Sequence, residues 1–134
     1  MKKQFLNFKA LFILLIVASL TGCSLENRIQ GTWQITNYSE KDVDGSNANS
    51  VNIGTIEFKK NGTGINDLEY KIMGATKSDQ SNFKYTVGDK FVTIDSDDEN
   101  TLAKSWIVIE NKAKMQKWKS TDDGTVQTLE LKKQ

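Results

Sequence analysis

The chain has no histidine, no proline and a single cysteine, Cys23. Without histidine the commonest general base and the commonest metal ligand are missing, and a conventional Ser-His-Asp triad is impossible. One cysteine cannot form an internal disulfide. An excess of one charge is missing too, since the 134 residues carry a net +1. Lys2, Lys3 and Lys9 are the only charges before Cys23, so 15 of the 18 basic residues face all 17 acidic ones after it, a net −2. Nucleic-acid binding needs a positive field, so that class is disfavoured and no nucleic-acid partner is expected. The length suits one domain and not two. Long apolar runs are confined to Leu11–Val17.

That run belongs to an address. Lys2 and Lys3 form a positive n-region ahead of it, and the apolar stretch has signal-peptide length, too short to span a bilayer comfortably. It ends Leu20-Thr21-Gly22-Cys23, which resembles the bacterial lipobox of a branched apolar residue, two small residues and cysteine. The plainer reading is a secretory peptide with a chance cysteine nearby. The resemblance implies that residues 1–22 are removed, that the Cys23 thiol is diacylated, and that the new amine is acylated. Several acyl chains anchor a protein stably where one holds only marginally, at about 0.8 kcal/mol per buried CH₂. The expected partner is therefore a membrane, in a bacterial envelope. By analogy with lipoprotein sorting, Ser24 in place of aspartate favours the outer membrane over the inner. Residues 23–30 are then the lipidated cysteine and a short tether, reaching at most roughly 25 Å when extended. Leu25 and Ile29 stand at i, i+4, so this piece is expected to form one helical turn plugging the domain that follows, residues 31–134.

Turn signals divide that domain into eight short segments rich in β-branched and aromatic residues. Strands are expected near Thr32–Glu40, Ile53–Lys59, Thr63–Met73, Asn82–Val87, Phe91–Asp95, Lys104–Glu110, Ala113–Ser120 and Thr125–Lys132. No long stretch shows helical periodicity. The expected fold is all-β: an eight-stranded antiparallel up-and-down barrel, whose closure removes exposed edges. Eight strands leave an interior just wide enough for side chains or one small ligand.

Turn geometry then assigns faces. A two-residue turn at Gly88-Asp89 sets Tyr85 opposite Val92 and Phe83 opposite Ile94, all inward. A two-residue turn at Asn61-Gly62 pairs Phe58 with Ile65, and the later set Leu68, Tyr70 and Ile72 then needs a β-bulge near Asn66-Asp67. A turn at Asp123-Gly124 sets Trp118 opposite Leu129, Gln116 opposite Leu131 and Lys117 opposite Glu130. The charged pair belongs outside, because burying it is costly. A turn at Asn111-Lys112 carries Ile107 and Ile109 inward and leaves Trp106, Val108 and Met115 outside.

Gly31-Thr32-Trp33 opens the first strand and looks like the G-x-W signature of lipocalins. Phe58-Lys59-Lys60-Asn61-Gly62-Thr63-Gly64 resembles the F-x-x-(D/N)-G-T-G hairpin of small bacterial lipocalin-like lipoproteins. The resemblance covers about Gln30–Lys133. It implies that Gly31 and Trp33 mark the barrel base and that the cup holds a small apolar molecule. Lipocalins usually pair the tryptophan with a late arginine, but Arg28 is the only arginine here and precedes the first strand. There is no room for their C-terminal helix, so a shallow or filled cup is expected.

Other chemistry is sparse. Asp95–Glu99 and the Asp42, Asp44, Asn47 loop are oxygen-rich, but neither meets the spacing of a calcium loop, so no metal or cofactor is expected. Nothing fixes a carboxylate separation suited to glycoside hydrolysis. A Ser–Lys pair is not excluded by composition. Lys112, Lys114, Lys117 and Lys119 read as a solvated face or as a contact with anionic headgroups. The aromatics read first as core. Their sharper role is to line a pocket, for which Ile35, Phe58, Tyr70, Phe83, Tyr85, Ile94, Ile107 and Trp118 are the ligand-binding candidates, the tyrosines supplying hydroxyls. The expected function is a lipid-anchored binding module for one small hydrophobic molecule, not an enzyme. The rival is a structural or protein-interaction accessory with a filled barrel, using Trp106, Val108 and Met115 as the protein contact.

Overall fold

The computed structural model describes residues 24–72, 74–122 and 124–134. The signal segment, the lipobox and Cys23 lie outside the described residues, as do Met73 and Asp123. The chain enters through a helical turn, α1 (Leu25–Ile29), capped by the Ser24 hydroxyl, which accepts from the Asn27 amide at 3.4 Å. Leu25 and Ile29 fall on one side of that turn, and both are buried. Residues expected to form a tether are thus folded against the domain.

Eight strands follow: β1 (Gly31–Lys41), β2 (Asn47–Phe58), β3 (Thr63–Ile72), β4 (Ala75–Val87), β5 (Phe91–Asp95), β6 (Ser105–Asn111), β7 (Met115–Asp122) and β8 (Thr125–Lys133). Each pairs antiparallel with the next, and β8 returns to β1, closing an up-and-down barrel. Closure leaves no strand at a free edge of the sheet. β2 and β4 begin well before the expected positions. Their first residues are polar and mostly exposed, and they read as loops. Pairing with β1 and β3 makes them strand regardless of composition.

The registers confirm some face assignments and correct others. Trp118↔Leu129, Gln116↔Leu131 and Lys117↔Glu130 pair as expected, with Lys117 and Glu130 in an outer ion pair at 3.7 Å. In β4–β5 the partners are Tyr85↔Ile94 and Val87↔Val92, two residues from the expected register. A shift of two preserves the face, so Phe83, Tyr85, Val92 and Ile94 are all buried. In β2–β3 the turn holds three residues, since Lys59 N–H bonds to Thr63 O and Gly62 sits at φ 83°. Phe58 therefore faces Gly64, and Ile65 turns outward at 40% exposure. Gly64, Asn66, Leu68 and Tyr70 then alternate inward without a break, and the bulge expected at Asn66-Asp67 is not there.

The largest correction concerns β6. Val108 pairs with Trp118 and Glu110 with Lys117, which leaves Ile109 as the extra residue of a bulge. The real turn is longer than two residues, with Lys112 N–H bonded to Met115 O, but that change alone keeps the parity. The one-residue bulge reverses it. Trp106 is fully buried and Val108 packs against the core, while Ile107 and Ile109 are 62% and 51% exposed. Ile107 is thus no part of the interior, and Trp106 and Val108 are no outer contact. Met115 is half-buried at the base turn.

The buried set runs from Leu25 and Ile29 of α1 through the barrel to Leu102 of the β5–β6 loop. The described residues close their own sheet and fill their own core, so a chain beginning at Ser24 folds without the residues before it.

Candidate ligand site

Both ends of the barrel are stoppered, by different means. At the base, Trp33 stands on α1, its Nε1–H donating to Ile29 O at 2.8 Å. Lys133 crosses the same ring, Nζ 4.7 Å from its centroid. The ammonium also donates to Arg28 O at 2.9 Å and to Gln30 O. Burial lowers the Lys133 pKa from its ordinary value, because desolvation penalises the charged form. Lys133 is thus the cation that meets Trp33, and Arg28 instead donates to Asn111 O at 2.8 Å, tying α1 to the β6–β7 turn. The signal was present in sequence: Leu129, Leu131 and Lys133 alternate, so Lys133 continues the inward face of β8.

Above this floor the lower interior is packed with rings. Phe58 sits at its centre, 5.0 Å from Tyr85, 5.6 Å from Phe83 and 5.8 Å from Trp118. These separations are those of aromatic packing. Phe83 also fills the space over Gly64, where an added Cβ would lie 2.3 Å from its Cζ. The Tyr85 hydroxyl is held by the backbone, donating to Lys59 O. Its pKa is raised by burial and by the charge of Glu26.

The upper interior is different. Tyr38 and Tyr70 meet edge to face at 5.6 Å, the Tyr38 hydroxyl donating to Glu40 Oε1 at 2.6 Å. Burial and that carboxylate push the Tyr38 pKa far up. The loop of residues 96–104 folds inward over the mouth and seats Leu102, which is fully buried. Side chains hold it there. Thr101 N–H donates to Asp79 Oδ2 at 2.9 Å, Asn100 Nδ2 to Asn66 Oδ1 at 2.8 Å, and the Thr101 and Tyr70 hydroxyls share a hydrogen bond of 2.8 Å. Trp106 Nε1–H reaches the Leu102 carbonyl at 3.0 Å. Gln127, buried on β8, keeps a side-chain oxygen without a hydrogen-bond partner among the described residues.

Beside the mouth the wall parts. The β2–β3 register ends at Gly54↔Leu68, and beyond it lies a groove of about 720 Å³ between residues 49–55 and 67–71. Ile53 and Tyr70 form its inner side, with Ser50, Asp67 and Lys71 at the rim. Gly54 holds the last close approach of the two strands before the groove. It sits at φ 140°, and a Cβ there would lie 2.0 Å from Asp67 O.

Of the sequence candidates, Ile35, Phe58, Tyr70, Phe83, Tyr85, Ile94 and Trp118 are all buried and inward, and Ile107 is outside. Phe58, Phe83, Tyr85 and Trp118 come together as a packed cluster rather than the lining of an open cup. Only Tyr70 borders the groove. Leu102, Gln127 and Lys133 were not singled out. Leu102 had a signal, as the one large apolar residue in the polar run from Asp95 to Lys104. Among the described residues no cluster of three or more His, Cys, Asp or Glu is placed to hold a metal ion.

Among solved structures, the chain is similar to a redesigned β-barrel (17% identity, covering 84% of this chain and 96% of that one, TM-score 0.46). It is also similar to a de novo designed fluorescence-activating β-barrel (13%, 83% and 98%, 0.46) and to a deswapped triple mutant of bovine odorant binding protein (13%, 80% and 74%, 0.44). No curated protein matches the chain in sequence. The family model of the lipocalin-like domain matches residues 29–117, from the end of α1 into β7. The chain belongs to the lipocalin-like family.

Proposed function

We propose that this protein is a lipid-anchored binding protein of a bacterial envelope, that it takes one small, partly apolar molecule, and that it is not an enzyme. The groove between β2 and β3 carries the reading. Its volume lies within the range of small-molecule sites, and it offers an apolar back with polar groups at the rim. The adjoining mouth extends it. Leu102 sits on a loop held by side-chain hydrogen bonds, so an incoming apolar group displaces one side chain and not a strand. Cys23 in the lipobox supplies the anchor.

The test is titration of the chain from Ser24 onward with the apolar fluorophore N-phenyl-1-naphthylamine. Saturable one-to-one binding is expected. Thr76 lines the groove and is exposed, so Thr76→Trp fills it without touching the core. This variant is expected to weaken binding at least tenfold. No saturable binding, or none of this loss, overturns the site. The anchor is tested apart from it, by metabolic labelling with a palmitate analogue. Label that persists on Cys23→Ala rules the anchor out.

The packed cluster around Phe58 favours a second reading, a closed structural barrel that acts through its outer surface. That reading expects no saturable fluorophore binding at all.

A further inference from the structure

An up-and-down topology sorts the connections by end, and here the two ends differ in charge. The end that α1 enters also holds the β2–β3, β4–β5 and β6–β7 turns and the last residues of β8. These supply Lys59, Lys60, Lys90, Lys112, Lys114 and Lys132, all exposed, against the carboxylates of Glu26, Glu57 and Asp89. The opposite end holds Asp42 and Asp44 in the β1–β2 turn, Asp97, Asp98 and Glu99 in the β5–β6 loop and Asp122 at the end of β7, against Lys41, Lys71, Lys77 and Lys104. The chain as a whole is close to neutral, so this is segregation and not excess.

A second feature adjoins the basic turns. Phe91 follows Lys90 directly and pairs with Ile107 across β5–β6. Their side chains stand together on the outer wall, 47% and 62% exposed, and Ile109 follows on the same face of β6. Exposed apolar groups of this size beside a cationic rim match what an interfacial surface needs: charge for the headgroups and apolar atoms for the boundary beneath them.

We propose that this end of the barrel docks on an anionic phospholipid bilayer, the turn lysines meeting the headgroups and the Phe91, Ile107 and Ile109 patch seated at the interface. Charge complementarity argues for this occupant, and so does the position of the chain end. The residues before Ser24 join at this end and at no other. Because α1 folds the tether against the base, a lipid attached there would hold the lysines within a screening length of the surface, about 8–10 Å in physiological salt. That last step rests on the anchoring reading; the charge segregation does not.

The experiment uses the unacylated chain beginning at Ser24, sedimented with vesicles of phosphatidylcholine alone or mixed with phosphatidylglycerol. Binding is expected to the mixed vesicles only, and to fall at least tenfold as salt rises from roughly 0.05 to 0.5 M. Reversing three exposed charges, Lys60→Glu, Lys112→Glu and Lys114→Glu, is expected to lower the partition by about 100-fold or more. Asp97→Lys with Asp98→Lys, at the far end, is expected to leave it within a few-fold. Phe91→Ser tests the patch and is expected to weaken the binding that survives at high salt. Equal binding to both vesicles, no binding to either, or a triple variant that binds like the parent overturns the proposal. Should the triple variant lose its far-ultraviolet signature, Lys60→Glu alone and the salt dependence of the parent decide in its place. If Cys23 is acylated in cells and the vesicles are not bound, docking fails while the anchor stands.

Discussion

Trp106 and Ile107 are neighbours with opposite fates, and exchanging their roles is the sharpest check on the barrel's register. Trp106 is fully buried and its indole N–H bonds to the Leu102 carbonyl at 3.0 Å. Truncating a buried tryptophan to alanine costs roughly 3–5 kcal/mol. Losing the hydrogen bond adds about 1 kcal/mol. The Lys104 ammonium, 5.8 Å from the ring centroid, adds little at such a separation. Trp106→Ala should therefore cost about 4–6 kcal/mol, as much as Trp118→Ala or more. Ile107 is 62% exposed, so Ile107→Ala should cost about 0.5 kcal/mol or less. Urea melts followed by far-ultraviolet circular dichroism measure both. With a slope of roughly 1–2 kcal/mol/M for a domain of this size, the Trp106 variant should lose at least about 2 M in midpoint. If the variant is too unstable to purify, Trp106→Phe keeps most of the buried area, and its loss should still exceed that of Ile107→Ala. An Ile107 variant that loses more than either Trp106 variant refutes the bulge at Ile109 and the parity of β6 with it.

Three further outcomes follow from the geometry. Gly54→Ala combines a positive φ with a clash on Asp67 O, and should destabilise the fold by roughly 3 kcal/mol or more in the same melts. Lys133→Met removes a cation–π contact and two charged hydrogen bonds at the base, and should cost about 2–4 kcal/mol; a loss under about 1 kcal/mol would show that the base holds without it. Tyr38 keeps its proton in the fold well above the ordinary phenol range, so the unfolded chain releases that proton first as pH rises. Its contribution to stability is whole below about pH 10 and falls by about 1.4 kcal/mol per pH unit above it, and Tyr38→Phe should remove that part of the slope from alkaline melts.

What the sequence revealed and what it hid divide along a physical line. Alternation told the inward faces of β7 and β8, because Lys117 and Glu130 had to stay in water and the Asp123-Gly124 turn fixed their register. It told α1 from two apolar residues four apart. It failed where a single residue changed parity. A two-residue and a three-residue turn both accept Asn61-Gly62, and the choice between them turned Ile65 outward and abolished a bulge. At Ile109 nothing local marks the extra residue. A bulge answers to the partner strand, and Val108 opposite Trp118 is a tertiary fact. The packed cluster escaped for a similar reason, since whether Phe58, Phe83, Tyr85 and Trp118 line a space or fill it depends on their meeting across the barrel.

The fastening of α1 has a mechanical consequence. Tension applied through Ser24 reaches the helical turn before it reaches the sheet. What resists it is the burial of Leu25 and Ile29, the grip of Arg28 on Asn111, and the grips of Trp33 and Lys133 on the α1 carbonyls. β1, just behind, is laced along its length to both β2 and β8. Under load the turn should peel away first, its segment extending to at most roughly 25 Å while the barrel stays shut. The segment would then act as a fuse, absorbing a pull that would otherwise fall on the seam where the barrel closes.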